Sequence, residues 1–434
     1  MIALLYLFTG LASTFVDSGF SAALIQKKNI TLIDESTVFW FNLFMAGAMV
    51  IGLWALAPWI SEFYQIEELT TLTRVLAFTI LINALSSIHN TLLIKGLKFK
   101  TIMKVGVVAS VLSGLAAIYL ARHGYGVWAL AVQAVLSSAV STILLWGFSK
   151  WRPRWVFSVD SVRTLFGFGG YLMAASILDV LYNRLYTVLI GKWYGATELG
   201  FYTRADNTKQ IPVNLLSGVL TRVAFPIFSV AKDDKDKLYK GVKLAVQGLM
   251  IINVPIMLGL MVTADKLVPV LFGEQWFPAI SLLQVLCLAG LFWPLHVINL
   301  NVLKAQGYTH LFFRLEVIKK LLGTIFLLVG IMSYGVIGLA WSQVLFGLVA
   351  FFINAFYTGR YLNYGPLKQI KDFFPILIIS SVVAYIVLIA GNYLADPLWL
   401  VLVKQVVIGI TLFMLICICF SINAYRACVN LLIR

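Results

Sequence analysis

Charge is what this chain has least of. Only 12% of its 434 residues are Asp, Glu, Lys or Arg, about half of what a soluble domain carries. With 61% hydrophobic residues, too little polar surface remains to cover a water-soluble globule. Acids are scarcer than bases, 18 against 33. Cysteine is nearly missing. Cys287, Cys417, Cys419 and Cys428 fall in or just beyond apolar stretches, and read as small apolar filler rather than a disulfide framework or metal pair. No His-Glu-x-x-His and no phosphate loop ending Gly-Lys-Ser/Thr occurs, so zinc-hydrolase and P-loop chemistry have no anchor. Asp234-x-Asp236 matches the metal pair of sugar transferases only superficially, because it sits among lysines in a short loop. No basic stretch precedes the first apolar run, so a cleavable signal peptide is not expected. No cofactor, no metal and no enzymatic activity are expected.

What the chain does have is long apolar runs. Thirteen are read, at about 1–17, 36–60, 69–94, 101–121, 126–148, 164–191, 210–230, 239–263, 279–303, 312–333, 335–358, 373–394 and 398–420. Each approaches the ~20 residues that cross ~30 Å of hydrocarbon as a helix. The runs are too long for barrel strands, so the fold class is an all-α polytopic membrane protein. Lys and Arg cluster in alternate loops, for example Lys95, Lys98, Lys100 and Lys104, then Lys150, Arg152, Arg154 and Arg163. The positive-inside rule places those loops and the C-terminus in the cytoplasm. The net charge of +15 is therefore an orientation signal, and no nucleic-acid partner is expected.

A repeat organises the runs. Tyr125-Gly126-Val127 with Leu130-Ala131 returns as Tyr334-Gly335-Val336 with Leu339-Ala340, and Lys95 returns as Lys304, both 209 residues on. That offset spans six helices, an even number, so the copies share one orientation, a parallel repeat about an axis along the membrane normal. The expected division is an N-terminal lobe at 1–158, a C-terminal lobe at 159–360, and a peripheral helix pair with its tail at 361–434. The same arithmetic puts the counterpart of the second copy's first helix about 47 residues before Met1, so the expected design has fourteen helices, of which the first is missing here.

A few ionisable residues interrupt the runs. Asp179 and Arg184 lie inside one span and Arg222 inside the next. A charge near the bilayer centre costs about 2.5–3.5 kcal/mol on insertion scales, so it is expected to face water or a counter-ion. At ~100° per residue Asp179 and Arg184 are about 140° apart and should not pair with each other. The expectation is a cationic cavity walled by these two helices, open to an anionic, sugar-bearing lipid.

Several blocks carry a resemblance. They are Asp17 to Gln26 (DSGFSAALIQ), Thr37-Val38-Phe39-Trp40, Gly126-Val127-Trp128-Ala129-Leu130, Gly200-Phe201-Tyr202-Thr203-Arg204, Arg222 with Phe225-Pro226, and Phe272-Gly273-Glu274-Gln275-Trp276-Phe277-Pro278. Over about residues 16–375 the chain resembles the Wzx-type bacterial polysaccharide flippases, exporters of O-antigen and exopolysaccharide repeat units within the multidrug/oligosaccharidyl-lipid/polysaccharide superfamily. The likeness is strongest to the colanic-acid-type subfamily. It implies two six-helix lobes with two added helices, a bacterial inner-membrane location, and alternating access. It departs from the family pattern where an acid is often found: here that position is Tyr186, and the acid is Asp179, seven residues earlier.

The function expected is translocation of a polyprenyl-diphosphate-linked oligosaccharide repeat unit for surface polysaccharide, by a monomer in contact with membrane lipids and serving a polysaccharide polymerase. Arg184 and Arg222 are assigned to the diphosphate, whose oxygens suit a bidentate guanidinium. Arg74 is a further cavity candidate. Lys192, Arg204 and Lys209 form the one basic outer loop, a release path for phosphate. Asp179 and Asp17 are candidates for coupling to an ion gradient. Two rivals remain open: a multidrug or cation antiporter of the same superfamily, which would want an acidic cavity, and a membrane polysaccharide polymerase, which would want a long outer loop.

Overall fold

A computed structural model describes residues 2–419, apart from 18, 28–29, 97, 231–233, 307–308 and 394–395. The described residues form helices and short turns. They are α1 (Ile2–Asp17), α2 (Phe20–Gln26), α3 (Leu32–Tyr64), α4 (Glu68–Lys95), α5 (Phe99–Arg122), α6 (Val127–Phe148), α7 (Val159–Trp193), α8 (Gly195–Val230), α9 (Lys235–Phe272), α10 (Ala279–Leu291), α11 (Trp293–Ala305), α12 (Thr309–Leu362), α13 (Pro366–Tyr393) and α14 (Leu398–Cys419). Among the described residues nine spans are long and apolar enough to cross a membrane. One of them runs through a break in α12 at Tyr334 and Gly335. Taking its arms separately, and adding α1, α7 and α8, reproduces the thirteen spans read from sequence. The protein is a multi-pass membrane protein. Its helices turn apolar side chains outward, with Phe44 74% and Ile143 70% exposed, as lipid contact requires.

Helix ends follow local chemistry. Thr31 caps α3, accepting from the Asp34 amide at 3.2 Å while Asp34 accepts from the Thr31 amide at 3.0 Å, a reciprocal box that satisfies two otherwise orphaned donors. Ser158 caps α7 in the same way through the Ser161 amide, and Asp234 caps α9 through the Lys237 amide at 3.0 Å. Asp234 therefore serves the helix end. The repeated Tyr-Gly-Val turns share one backbone state: Gly126 has φ 51 and ψ −124, and Gly335 has φ 64 and ψ −144. A side chain resists that region, so each copy needs glycine there.

The chain divides into two compact units, Met1–Leu199 and Gly200–Arg434. Within the first unit, α7 packs on α1, α2 and α3. Leu165 of α7 is buried in one cluster with Phe20, Leu24, Val38, Phe39 and Ile88. Farther along α7, a Cβ at Gly191 would meet Tyr64 at 3.3 Å. Glycine there lets α7 lie close against its neighbours, the usual device where hydrophobicity alone does not drive helices together.

The loop between α6 and α7 is strapped across the start of α3. The Arg154 amide donates to Ser36 Oγ at 3.1 Å, and the Ser158 amide to Thr37 Oγ1 at 3.1 Å. Trp40 Nε1 donates to the Arg154 carbonyl at 2.8 Å, and its ring stacks on Trp155 at 4.2 Å.

In the second unit, α13 packs on α9. Phe373, Ile376, Val383, Ala384 and Val387 share one buried cluster with Leu238, Val242, Val246 and Val254 of α9. Polar bonds fix the register. Asn299 Nδ2 donates to Gln369 Oε1 at 3.0 Å, and Gln369 Nε2 returns to Asn299 Oδ1 at 2.9 Å. Asp372 accepts from Tyr364 at 2.8 Å and Gln247 at 3.3 Å, and pairs with Lys243 at 3.0 Å.

Candidate functional site

The candidate charges sit on α4, α7 and α8, and each unit holds its own. In the first unit, Arg184 lies half-buried on α7, eight residues before its last lysine, Lys192. Arg74 is half-buried near the start of α4. Its Nε is shielded from solvent and makes no hydrogen bond, while its carbonyl accepts from Trp54 Nε1 at 3.0 Å. Lys192 donates to the Phe63 carbonyl, with its ammonium 4.4 Å from the centre of the Phe63 ring. That contact anchors the end of α7 to the end of α3. Asp17 accepts from Ser21 Oγ, which in turn accepts from Thr91 Oγ1 at 3.0 Å. The carboxylate thus ties α1 to α2 and, through one hydroxyl, to α4.

Residues 195–209 are helix, which corrects the reading of 192–209 as a basic outer loop. The turn is made by Tyr194 and by Gly195 at φ 84, and α8 starts at once. Arg204 is exposed on it, with its guanidinium 4.6 Å from the Phe272 ring and 4.9 Å from the Trp276 ring. Two aromatic faces hold a cation that can still reach solvent. Lys209 is only 6% exposed and pairs with Asp206 one turn back at 2.6 Å. Its stem packs over Gly290, where a Cβ would meet Lys209 Cγ at 3.5 Å. Lys209 is thus neutralised inside the unit rather than open on a release path. The side chains of Asp179 and Arg222 lie outside the described residues.

Several polar residues inside the spans are spent on different partners. Asn299 is spent on Gln369. His296 Nδ1 lies 3.3 Å from Asn354 Nδ2. Asn301 is buried, with its amide nitrogen unpartnered. His89 is wholly buried between Trp146 and Trp151, at centroid distances of 4.7 and 5.2 Å. Sequence reasoning missed Glu35, 8% exposed in the first turn of α3, because an acid there looks like a solvated helix start. Among the described residues no group of three or more His, Cys, Asp or Glu could hold a metal ion.

Fold comparisons define the class first. The chain superimposes on the lipid II flippase MurJ in an inward closed conformation with a TM-score of 0.75, at 16% identity, over 99% of this chain and 93% of that one. An inward-facing MATE-family multidrug resistance transporter matches at 0.62, with 15% identity over 84% and 89% of the two chains. The fold is shared with these solved transporters. A family model described as "Polysaccharide biosynthesis protein" matches residues 1–281. The teichuronic acid biosynthesis protein TuaB of Bacillus subtilis (strain 168) is 31% identical over 357 residues, 82% of this chain and 73% of that protein. The lipopolysaccharide biosynthesis protein WzxC of Escherichia coli (strain K12) is 30% identical over 354 residues, 80% and 71% of the two. The chain belongs to this family of polysaccharide-biosynthesis membrane proteins, the polysaccharide flippases.

Proposed function

We propose that this protein carries a polyprenyl-diphosphate-linked oligosaccharide from the cytoplasmic to the outer leaflet of a bacterial inner membrane, with its C-terminus in the cytoplasm. The observation that carries the reading is family membership joined to intramembrane basic charge, with Arg184 on α7 and Arg222 on α8. A diphosphate is the counter-ion that offsets the cost of such guanidinium groups. Arg74 in the first unit and the aromatic-held Arg204 in the second are further basic candidates for the diphosphate. The protein acts as a carrier and makes or breaks no covalent bond. Alternating access is the mode of movement we assign, with the polyprenyl tail staying in lipid. Asp179 and Asp17 are the acids we assign to gradient coupling. We assign the protein a monomeric state and a polysaccharide polymerase as the consumer of its cargo.

Cation export is the competing reading, since multidrug transporters share the fold. It would need acids free to meet a cation. Among the described residues of the second unit, Asp206 is held by Lys209, Asp265 by Lys266 and Asp372 by Lys243, which favours an anionic cargo.

The test is complementation of a strain lacking every flippase for its surface polysaccharide. Wild type restores the polymer, Arg184→Ala cuts it at least about tenfold, the equivalent of one lost charge-assisted contact, and Arg184→Lys retains part of it. Full polymer from Arg184→Ala at wild-type protein level sinks the assignment of Arg184. No restoration by wild type, with drug efflux instead, sinks the function.

A further inference from the structure

Four buried polar atoms of the first unit lack partners in one corner. They are Glu35 Oε2, Trp151 Nε1 and both ring nitrogens of His89. Trp151 connects the set. Its Nε1 approaches the Glu35 carboxyl without completing a hydrogen bond, and its ring lies edge-on to the His89 imidazole at 5.2 Å. Trp146 covers His89 from another side at 4.7 Å, and Phe39 packs on both tryptophans at 6.3 and 5.7 Å. Orphaned polar groups in such an enclosure are costly, and native proteins place them where something binds.

The chemistry of the corner selects the occupant. A metal ion is disfavoured, because Trp151 offers only an N–H donor and the set contains a single carboxylate. An anion is disfavoured by Glu35. One carboxylate, one imidazole and one N–H are what a water needs to be held by three partners, and two of the three can take a proton. Asp34, Lys95 and Arg152 are the charged groups packed around the corner, and the two cations keep their charge because their partners are neutral carbonyls. Asp34 beside Glu35 pairs with Lys27 at 2.8 Å. Lys95 of α4 donates to the Leu24 carbonyl at 2.7 Å and to the Lys27 carbonyl. Arg152 donates to the Ser149 and Trp151 carbonyls at 2.7 Å and lies 5.4 Å from the centre of the Trp146 ring.

We propose that Glu35 and His89 form a buried proton-binding site in which one proton is shared through water between carboxylate and imidazole, with the Trp151 indole N–H as third partner. The site lies directly beneath the α6–α7 strap. Glu35 precedes Ser36 and Thr37, which hold the strap's backbone, and Trp151 belongs to the strap itself. Gain or loss of the proton therefore changes the footing of the segment that leads into α7. The inference does not depend on the cargo.

The chain has four histidines, few enough for direct observation. Full-length protein labelled with nitrogen-15 in histidine, in lipid nanodiscs, is followed by NMR across about pH 3–8, a range wide enough to catch a buried imidazole. His89→Gln assigns the signal. His89 is expected to titrate in that range, and Glu35→Gln to lower its midpoint by about one pH unit or more, because removing a nearby carboxylate destabilises the imidazolium. A His89 signal that holds one tautomer throughout, or an identical midpoint in Glu35→Gln, overturns the proposal. Should Glu35→Gln not fold, wild type alone decides by hydrogen exchange. The Arg154 and Ser158 amides are expected to change rate at the His89 midpoint, and rates flat across that pH overturn the link to the strap.

Discussion

Replace Asn299 with Leu. The perturbation removes both hydrogen bonds of the reciprocal amide pair, at 3.0 and 2.9 Å, and leaves Gln369 Oε1 buried without a donor, while Gln369 Nε2 keeps the Tyr364 carbonyl at 3.0 Å. Interhelical hydrogen bonds in membrane proteins contribute ~0.6 kcal/mol each, and an orphaned buried acceptor costs ~1–3 kcal/mol. The expected loss is therefore about 2–4 kcal/mol. Gln369→Leu mirrors it, orphaning Asn299 Oδ1 while Asn299 Nδ2 keeps Leu295 at 2.8 Å. The double variant orphans neither side-chain oxygen and joins two apolar chains, so it should cost about 1 kcal/mol less than either single change. The assay is a double-mutant cycle on reversible unfolding in mixed micelles, or on melting temperature in detergent. Additive losses would refute the reasoning, since they would mean that the two amides do not depend on each other.

Two other outcomes follow from the same kind of accounting. Lys209→Met leaves the Asp206 carboxylate buried without its partner and should lose about 3–5 kcal/mol, whereas Asp206→Asn with Lys209→Met should recover most of it; both are read as thermal stability of the purified protein. Gly338→Ala, at which a Cβ would meet the Gly330 carbonyl carbon at 3.1 Å, should lower stability by about 1–3 kcal/mol through overpacking, while the same change at Gly114, with open space around it, should cost little.

Much of this architecture is legible in sequence because hydrocarbon imposes length and hydropathy on every span. Even the break between the arms of α12 was readable, since Tyr334-Gly335-Val336 repeats Tyr125-Gly126-Val127 and glycine alone suits that backbone. The fates of individual charges were less so. Lys209 looks like a loop base until α8 turns it inward against Gly290 and onto Asp206. Arg204 declares its cation–π partners only when α9 brings Phe272 beside it. Asn299 and Gln369 are 70 residues apart, and periodicity cannot join them. Glu35 reads as a first-turn acid because what makes it unusual is the tryptophan that the following loop lays over it. Sequence reports which residues are dear to bury; the partner that makes burial tolerable comes from the fold.

The strap's hydrogen bonds to α3 come from its own main-chain groups, the amides of residues 154 and 158 and the carbonyl of 154, while the Trp151 and Trp155 rings add contacts to Phe39 and Trp40. Those hydrogen bonds are indifferent to the charged side chains of the strap, and proline alone would undo them at those amides. The basic character of this segment can therefore be rewritten freely, one charge at a time, while the entry point of α7 stays where it is. The basic side chains and the anchoring main-chain atoms occupy the same ten residues without competing.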